Sequence, residues 1–399
     1  MKTFLFIISL FMVLPVNLFA QKDTLSRDSL RFSGQVVFWG IGNYNKAFHG
    51  EIGLRFIPQL NYGIQMGKKN LLDWECSFNT YAGGSFDSLE TNPLSLPIKG
   101  AIKPYRAWIR YSNEQLEIRA GLQKINFGTA RILRPLMWFD GVDARDPLGF
   151  TNGVYALLVR YYFLNNTNIW VWGLYGNQNT KGWEWANTTD KTPEFGGRIQ
   201  MPIKKNSEVG ISYHHRNADL SLINPDYTKK EENRVGFDYR IDWLLGSWIE
   251  ASWCNYRVDS LSLQIATGEI TYLKNQESIT IGSDYTFDIG NGLLTTLEHL
   301  VIAQDDIAFS FDKISQVTAL SFSYPAGMFD NLHTFFYYDW TNHKLYNFIN
   351  WQHDFPKFTF YTMAYWNPKE IQLSRIMGTS SNNELFAGKG IQLMIVYNF

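Results

Sequence analysis

The sequence predicts an all-β fold, a transmembrane antiparallel β-barrel of about 18 strands, with 16 strands as the alternative. Three observations predict it. A short apolar segment at the N-terminus indicates export, and apolar and polar residues alternate with a period of two in many segments. Aromatic residues make up 16% of the chain and charged residues only 18%. A membrane barrel has this composition because each strand turns one face to lipid and the other to water.

The first 20 residues have the organisation of a signal peptide. Lys2 precedes an apolar run from Phe4 to Pro15, and Ala20 is followed by Gln21. The run is too short to span a bilayer. We expect residues 1–20 to direct export, residues 21–30 to form a short periplasmic segment and residues 31–399 to form the barrel. So short a segment leaves no room for a plug domain before the first strand, which favours passive diffusion.

Composition excludes several functional classes. The net charge of −1 gives no bulk attraction to nucleic acid, and we expect no such partner. After residue 20 the sequence contains no apolar run long enough for a transmembrane helix. Cys76 and Cys254 lie far apart, and alternation turns Cys76 outward and Cys254 inward, which argues against a disulfide.

The last segment is the clearest predicted strand. Ile391, Leu393, Ile395, Tyr397 and Phe399 share one face. A final strand that ends in Phe resembles the closing strand of barrels in the outer membrane of Gram-negative bacteria. The resemblance implies recognition by the barrel-assembly machinery, and outer-membrane lipid and lipopolysaccharide as surroundings. The alternative is the edge strand of a soluble protein. In residues 235–242, charges at every second position from Asp238 to Asp242 argue against it, because a closed core would bury them.

Short and long connections alternate along the chain. Short turns, such as 67–70, 164–168 and 204–206, separate longer polar segments, such as 41–50, 128–152 and 177–192. Eight short turns and nine connections on the other side give about 18 strands with both termini on one side. We therefore expect short periplasmic turns and long extracellular loops.

The segment 128–152 is the predicted constriction. It carries charged residues among large apolar ones, and a fully solvated loop would not need the apolar residues. By resemblance to porins, whose third loop commonly narrows the lumen, we expect it to fold inward; the alternative is a packed extracellular cap. The charged residues are Arg131, Arg134, Asp140, Asp143, Arg145 and Asp146.

Four arginines on neighbouring strands form a predicted basic wall. If Tyr105, Ala107, Ile109 and Tyr111 face lipid, the residues between them face the lumen. Facing the aspartates of the loop, such a wall would favour anionic solutes. The alternative is a structural network in which the arginines pair with Glu117, Glu194, Asp238 and Asp242. The predicted wall consists of Arg106, Arg110, Arg119 and Arg160, with Gln123 beside Arg119.

Catalytic and metal sites are not predicted, and no cofactor is expected. His214 and His215 are adjacent on a strand and point to opposite faces, so they cannot chelate one ion together. The sequence contains no His-Glu-x-x-His, Gly-x-Ser-x-Gly or Cys-x-x-Cys motif. We expect that the protein is not an enzyme.

The segment 117–128, followed by Trp138-Phe139-Asp140-Gly141-Val142-Asp143, resembles outer-membrane porins of the alginate-export type. The resemblance covers about thirty residues, and the family's Gly-Arg-Gln is Gly121-Leu122-Gln123 here. It implies an 18-stranded barrel with an arginine-lined path for acidic sugars. Residue by residue, it supports only Arg119, Gln123 and Asp140 as pore-side positions.

Together these patterns predict a porin-like channel in the outer membrane for passive diffusion of small hydrophilic solutes, anionic or sugar-like. Two alternatives stay open at this point. One is a structural or adhesive barrel whose lumen is blocked by its loops, and the other is a barrel hydrolase. Neither the solute nor the oligomeric state is determined by the sequence.

Overall fold

The computed structural model describes residues 28–87, 98–142, 145–260, 262–264, 270–272, 274–369 and 386–399. Eighteen antiparallel strands in these ranges form one closed sheet, and two short strands form a separate hairpin. The predicted fold class and strand number are confirmed. The predicted signal peptide and most of the segment 21–30 lie outside the described residues.

The first half of the barrel contains β1 Asp28–Asn45, β2 Ala47–Met66, β3 Asn70–Asp87, β4 Ile98–Ser112, β5 Leu116–Gln123, β6 Val154–Tyr162, β7 Asn168–Leu174, β8 Glu194–Lys204, β9 Ser207–Ala218, β10 Lys230–Asp242 and β11 Gly246–Tyr256. The separate hairpin is β12 Ser262–Gln264 with β13 Ile270–Tyr272. The barrel continues with β14 Asn275–Phe287, β15 Leu293–Asp305, β16 Ile314–Pro325, β17 Asp330–Asp339, β18 Lys344–Asp354, β19 Phe358–Trp366 and β20 Lys389–Asn398.

The sequence alternation determines which side chains face inward. In β6, Val154, Ala156 and Leu158 are buried inside the barrel, whereas Tyr155 and Leu157 are exposed on its outer surface. Such inward and outward alternation is the period of an extended strand. No helix of the described residues is both long enough and apolar enough to cross a membrane.

The barrel closes between its first and last strands. β1 pairs with β20 from Gln35↔Asn398 to Tyr44↔Lys389. Gly34 and Phe399 extend this pairing with two backbone hydrogen bonds of 2.9 and 3.1 Å. Because β1 and β20 pair with each other, neither strand is a free edge of the sheet along the paired residues. A β-barrel in lipid needs such closure.

Short turns lie at the end of the barrel that carries both described termini, and longer connections lie at the other end. The prediction that 41–50 forms a long connection is wrong. β1 and β2 stay paired to Asn45↔Ala47, and Lys46 alone turns the chain with a φ of +66°. The hairpin therefore extends as sheet through the segment that was expected to be a loop.

A β-bulge reverses the direction in which one residue points that was predicted to face lipid. Ser77 of β3 pairs with Arg106, but Phe78 pairs with Pro104, so Tyr105 of β4 has no partner on β3. The extra residue shifts the alternation of β4. The expectation that Tyr105 faces lipid is therefore wrong, and its ring lies inside the barrel, against Phe150.

Candidate functional site: the barrel interior

Loop 3, the connection 124–153 between β5 and β6, is held from across the interior by Glu250 of β11. One carboxylate oxygen accepts the backbone N–H groups of Thr129 and Ala130 at 2.7 and 2.8 Å. The other accepts Leu136 N–H at 2.7 Å. Gly128 makes this approach possible, since its φ is +103° and a Cβ there would lie 2.4 Å from the carboxylate.

Glu298 of β15 provides a second anchor. It accepts the backbone N–H groups of Arg131, Ile132 and Leu133 at 2.7, 3.0 and 2.6 Å, and the Trp248 indole N–H at 3.0 Å. β15 lies eight strands from β5 in the closed order, through β6–β11 and β14. Loop 3 thus crosses the interior to nearly the opposite wall, and two carboxylates bind six of its amides.

Apolar side chains of loop 3 pack on both walls. Near its own strands, Phe127 stacks on Trp172 with ring centroids 5.5 Å apart. This cluster also contains Ile125, Leu136, Trp138, Phe139, Val154, Ala156, Leu158 and Leu174. On the far wall, Ile132 and Leu133 pack among Leu300, Ile302, Val317, Ala319, Tyr337, Tyr346, Phe348, Met363 and Tyr365. These contacts explain why loop 3 carries so many large apolar residues.

A second connection, loop 4 (175–193, between β7 and β8), lies against loop 3. The Trp183 indole N–H donates to the backbone carbonyl of Arg134 at 2.8 Å. The Trp185 indole N–H donates to Gln276 Oε1 on β14 at 2.6 Å. The sequence did not predict this second inward connection.

Loop 4 is fixed by a buried network of ion pairs. Glu184 contacts Arg216 at 3.2 Å and Arg234 at 3.4 Å, and Glu232 of β10 contacts both arginines. The side chains of these four residues are 0–3% exposed. Lys181 of loop 4 continues the network to Glu194 of β8, which also contacts His214 of β9. Three cations, Lys181, Arg216 and Arg234, and three carboxylates, Glu184, Glu194 and Glu232, balance here, so the network is a structural element.

A cavity of about 440 Å³ remains between the second half of loop 3 and the wall of β1–β4, β19 and β20. We call it the side cavity. Its polar and charged lining includes Glu51, Arg55, Asn79, Asp146 and Gln392. Aromatic and aliphatic side chains line the remainder, among them Trp39, Tyr105, Leu148, Phe150 and Met394.

Arg55 of β2 is a basic residue in the lining of the side cavity. Its guanidinium lies 4.2 Å from the centroid of the Phe150 ring and 5.5 Å from that of Trp39. Among the residues that the structure describes, no carboxylate forms an ion pair with it, and its buried Nε has no hydrogen-bond partner. The guanidinium is thus held by aromatic faces; the Asp146 carboxylate also acts on it electrostatically, but its Nε still lacks an acceptor that an anion would supply.

Three members of the predicted basic wall are held in ion pairs. Arg110 pairs with Asp73 at 2.6 Å, and Arg119 and Arg160 contact Glu117 at 2.9 and 3.6 Å. All three lie on the part of the wall near the short turns, with 15–27% of each side chain exposed. The alternative to a basic wall, in which the arginines pair with nearby carboxylates, included Glu117 as a partner but did not include Asp73.

Arg106 and Gln123 are buried and bind backbone. Arg106 donates to the Thr151 hydroxyl at 2.6 Å and to its carbonyl at 3.3 Å, which ties loop 3 to β4. Gln123 donates to the carbonyls of Arg119 and Ala156 at 3.1 and 2.9 Å. Neither lines the side cavity.

The predicted residues in the first half of loop 3 lie in different surroundings. Arg131 pairs with Asp284 of β14 at 2.6 Å and is 43% exposed. Arg134 donates to the carbonyl of Phe127 at 3.0 Å and also contacts Asn126. Arg131 therefore faces water inside the barrel, and Arg134 braces the loop.

In the second half, Asp146 and Arg145 both line the side cavity. Asp146 accepts the backbone N–H groups of Leu148 and Phe150 at 3.0 and 3.4 Å. Arg145 is 3% exposed, with its guanidinium 5.2 Å from the ring centroids of Phe348 and Phe386. Asp143 lies outside the described residues.

Asp140 is a buried carboxylate without a hydrogen bond to either oxygen within the described parts of the chain. Its side chain is 2% exposed, and Lys124 Nζ lies 3.8 Å away. Burial raises the pKa of Asp140, while Lys124, Arg134 and Arg106 act in the opposite direction.

We expect the variant Asp140→Asn to be more stable than the native chain at neutral pH. A carboxyl whose folded pKa is raised destabilises the fold once the pH exceeds its unfolded pKa, because the group must then take up a proton or bury its negative charge on folding. The advantage should therefore grow between about pH 4 and pH 7. Urea midpoints of the folded barrel in lipid vesicles at both pH values measure it. An equal or larger advantage at pH 4 would contradict this explanation.

Several residues of the interior were missed by the sequence interpretation. Alternation in Gly53-Leu54-Arg55-Phe56 already turns Arg55 away from its apolar neighbours, and that signal was available. Glu250 also alternates with apolar residues, but nothing in the sequence relates it to loop 3. Across the described residues, no group of three or more His, Cys, Asp or Glu side chains could hold a metal ion.

Comparison with known proteins finds similarity in overall structure. No model of a protein family matches the chain, and no curated protein matches it. The resemblance to alginate-export porins therefore stays a prediction. Among solved structures, Salmonella typhi OmpF in complex with daunomycin is 10% identical, with a TM-score of 0.49 over 94% of this chain and 98% of that one.

Two further solved structures are similar. The outer-membrane channel DcaP of Acinetobacter baumannii is 14% identical, with a TM-score of 0.49 over 96% of this chain and 100% of that one. An anion-selective porin from Comamonas acidovorans is 10% identical, with a TM-score of 0.45 over 93% and 100%. At such identities and TM-scores, none of these similarities bears on what this chain does.

Proposed function

We propose that the chain is a porin-like channel of the bacterial outer membrane for passive diffusion of small hydrophilic solutes, anionic or sugar-like. The observation that carries the proposal is the side cavity beside an inward-folded loop in a closed barrel. Its lining combines charged and amide groups with aromatic rings, which suits a small solute in water. In this proposal loop 3, including 128–152, is the constriction.

The membrane location is supported by the outer surface of the barrel. Large apolar side chains that would be buried in a soluble protein are exposed there, with 43–59% of each accessible. Examples from around the barrel are Leu157, Val171, Ile211, Ile281 and Ile395. A continuous apolar surface of this kind requires lipid. Outer-membrane lipid, lipopolysaccharide and the barrel-assembly machinery at Phe399 are therefore the proposed surroundings and partners.

The proposed path enters from the end with the long connections, passes Arg55 in the side cavity, and leaves past the ion-paired arginines near the short turns. Arg110, Arg119 and Arg160 are partly exposed there, and each is close to a carboxylate. We expect these pairs to weaken the anion preference that four free arginines would have given.

Conductance in planar bilayers tests the channel. The refolded full chain should give discrete current steps in KCl. In a salt gradient, the reversal potential should be small and should indicate a weak preference for anions over cations. Absence of steps from a protein shown to be folded by its heat-dependent mobility on gels would refute the channel.

The occluded barrel is the second candidate, and the packing of loops 3 and 4 favours it. The two apolar clusters of loop 3 fill the interior next to β6–β7 and β15–β19. In an occluded barrel the side cavity would be closed to ions. The same bilayer experiment separates the two candidates, because only the channel gives current.

A further inference from the structure

The lining of the side cavity contains two chemically different groups of side chains. Arg55, Glu51, Asp146 and two amide side chains are charged or polar, whereas Val37, Leu148, Met363 and Met394 are apolar. Val37 and Met394 are 1% and 5% exposed and pack with Leu148 in one apolar cluster. A path for fully hydrated solutes needs no such apolar lining, since contact with apolar side chains adds no binding free energy for hydroxyl-bearing or ionic solutes.

We propose that the side cavity is a binding subsite for an organic acid with one negative charge and an apolar, ring-sized body. This inference rests on the proposed channel and narrows its solute class. The carboxylate of the solute binds the Arg55 guanidinium, and its apolar body lies against Val37, Leu148 and Met394.

The charges in the cavity account for the preference for a single charge. Arg55 lies between two aromatic rings and forms no ion pair with a carboxylate of the described residues, and its buried Nε lacks an acceptor that a carboxylate would supply. Glu51 and Asp146 also line the cavity, while the guanidinium of Arg145, which lines it too, packs against Phe348 and Phe386. A second negative charge on the solute would face these acids, so a dicarboxylate of similar size should bind more weakly.

The volume is compatible with such a solute. A cavity of about 440 Å³ holds a single ring with its substituents and several waters, at the roughly 30 Å³ that each water occupies. Ligand sites of this size are mostly apolar with a few polar groups that fix orientation. The side cavity has this composition.

The test compares benzoate with two other solutes. Glucuronate keeps the single carboxylate but has a polar body, and phthalate keeps the apolar ring but has a second carboxylate. Each is titrated into single-channel recordings in KCl, and the concentration that halves the current is measured. Calorimetry on the same protein in detergent measures benzoate binding whether or not current flows. We expect benzoate to act at a concentration at least roughly fivefold lower than either comparison solute.

Two variants and a control locate the subsite. Arg55→Gln should raise the half-blocking benzoate concentration roughly tenfold, the loss of one charge-assisted contact. Leu148→Asn should reduce the advantage of benzoate over glucuronate. Arg240→Gln removes an interior arginine that pairs with Asp242 outside the side cavity. It should change neither the half-blocking benzoate concentration nor the advantage of benzoate over glucuronate.

Equal potency of benzoate and glucuronate, or an unchanged benzoate value in Arg55→Gln, would overturn the subsite while leaving the channel intact. Absence of current together with benzoate binding that depends on Arg55 would instead refute the channel and keep the subsite. Absence of binding by calorimetry would overturn the subsite on its own.

Discussion

Replacement of Glu298 by leucine is expected to free loop 3 from the far wall and to raise single-channel conductance several-fold. The carboxylate accepts three loop N–H groups at 2.6–3.0 Å, and leucine accepts none. Hydrogen bonds to a charged group contribute about 1.5–3 kcal/mol each, so the loss is on the order of 5 kcal/mol. The loop should then leave its buried position, because buried N–H groups without partners are costly.

Glu208→Leu is the matched control. Glu208 is another interior carboxylate, but it accepts a hydrogen bond from Gln200 at 2.8 Å and does not contact loop 3. We expect its conductance to equal that of the native chain. Native conductance in Glu298→Leu, with loop 3 still protected from protease, would show that the anchor is dispensable.

Replacement of Glu232 by leucine is expected to cause a large loss of stability. Its carboxylate contacts Arg216 at 2.5 Å and also Arg234, and the side chains of all three residues are 0–3% exposed. Without it, two buried guanidinium groups share Glu184 alone. Removing one partner from a buried ion pair typically costs about 3–5 kcal/mol, and we expect a loss in this range.

The neighbouring residue gives a control for this variant. Glu231 pairs with Arg257 at 3.0 Å, but 46% and 77% of the two side chains are exposed. Glu231→Leu should therefore change stability by only about 0–1 kcal/mol. Urea unfolding in lipid vesicles measures both variants, and a comparable loss in the two would show that the buried network does not stabilise loop 4.

The sequence was sufficient for the barrel because one rule holds along its strands. An outward face must be apolar, so alternation such as that of β6 identifies the strand and its facing together. The rule fails where the backbone departs from regular pairing. Tyr105 sits in a β-bulge beside Pro104. A proline within a strand is a local signal for a bulge, but it does not show which residue β3 skips.

The interior was less predictable because its contacts join residues distant in the chain. Alternation can turn Arg55, Arg110 and Arg119 inward, but it cannot tell which arginine meets a carboxylate on another strand. Arg110 finds Asp73 on the preceding strand, whereas Arg55 lies between aromatic rings. The inward fold of 128–152 was foreseen from its apolar residues, but its anchors are 114–167 residues away in sequence.

Cysteine modification tests the position of the water path most directly. In a background with Cys76 and Cys254 replaced by alanine, Gln392→Cys places a thiol in the side cavity, and Ser252→Cys places one behind loop 3, where Ser252 accepts the Trp138 indole N–H at 3.0 Å. A charged methanethiosulfonate added to an open channel should lower the current through Gln392→Cys and leave Ser252→Cys unchanged. Block of Ser252→Cys with no effect on Gln392→Cys would contradict a path through the side cavity.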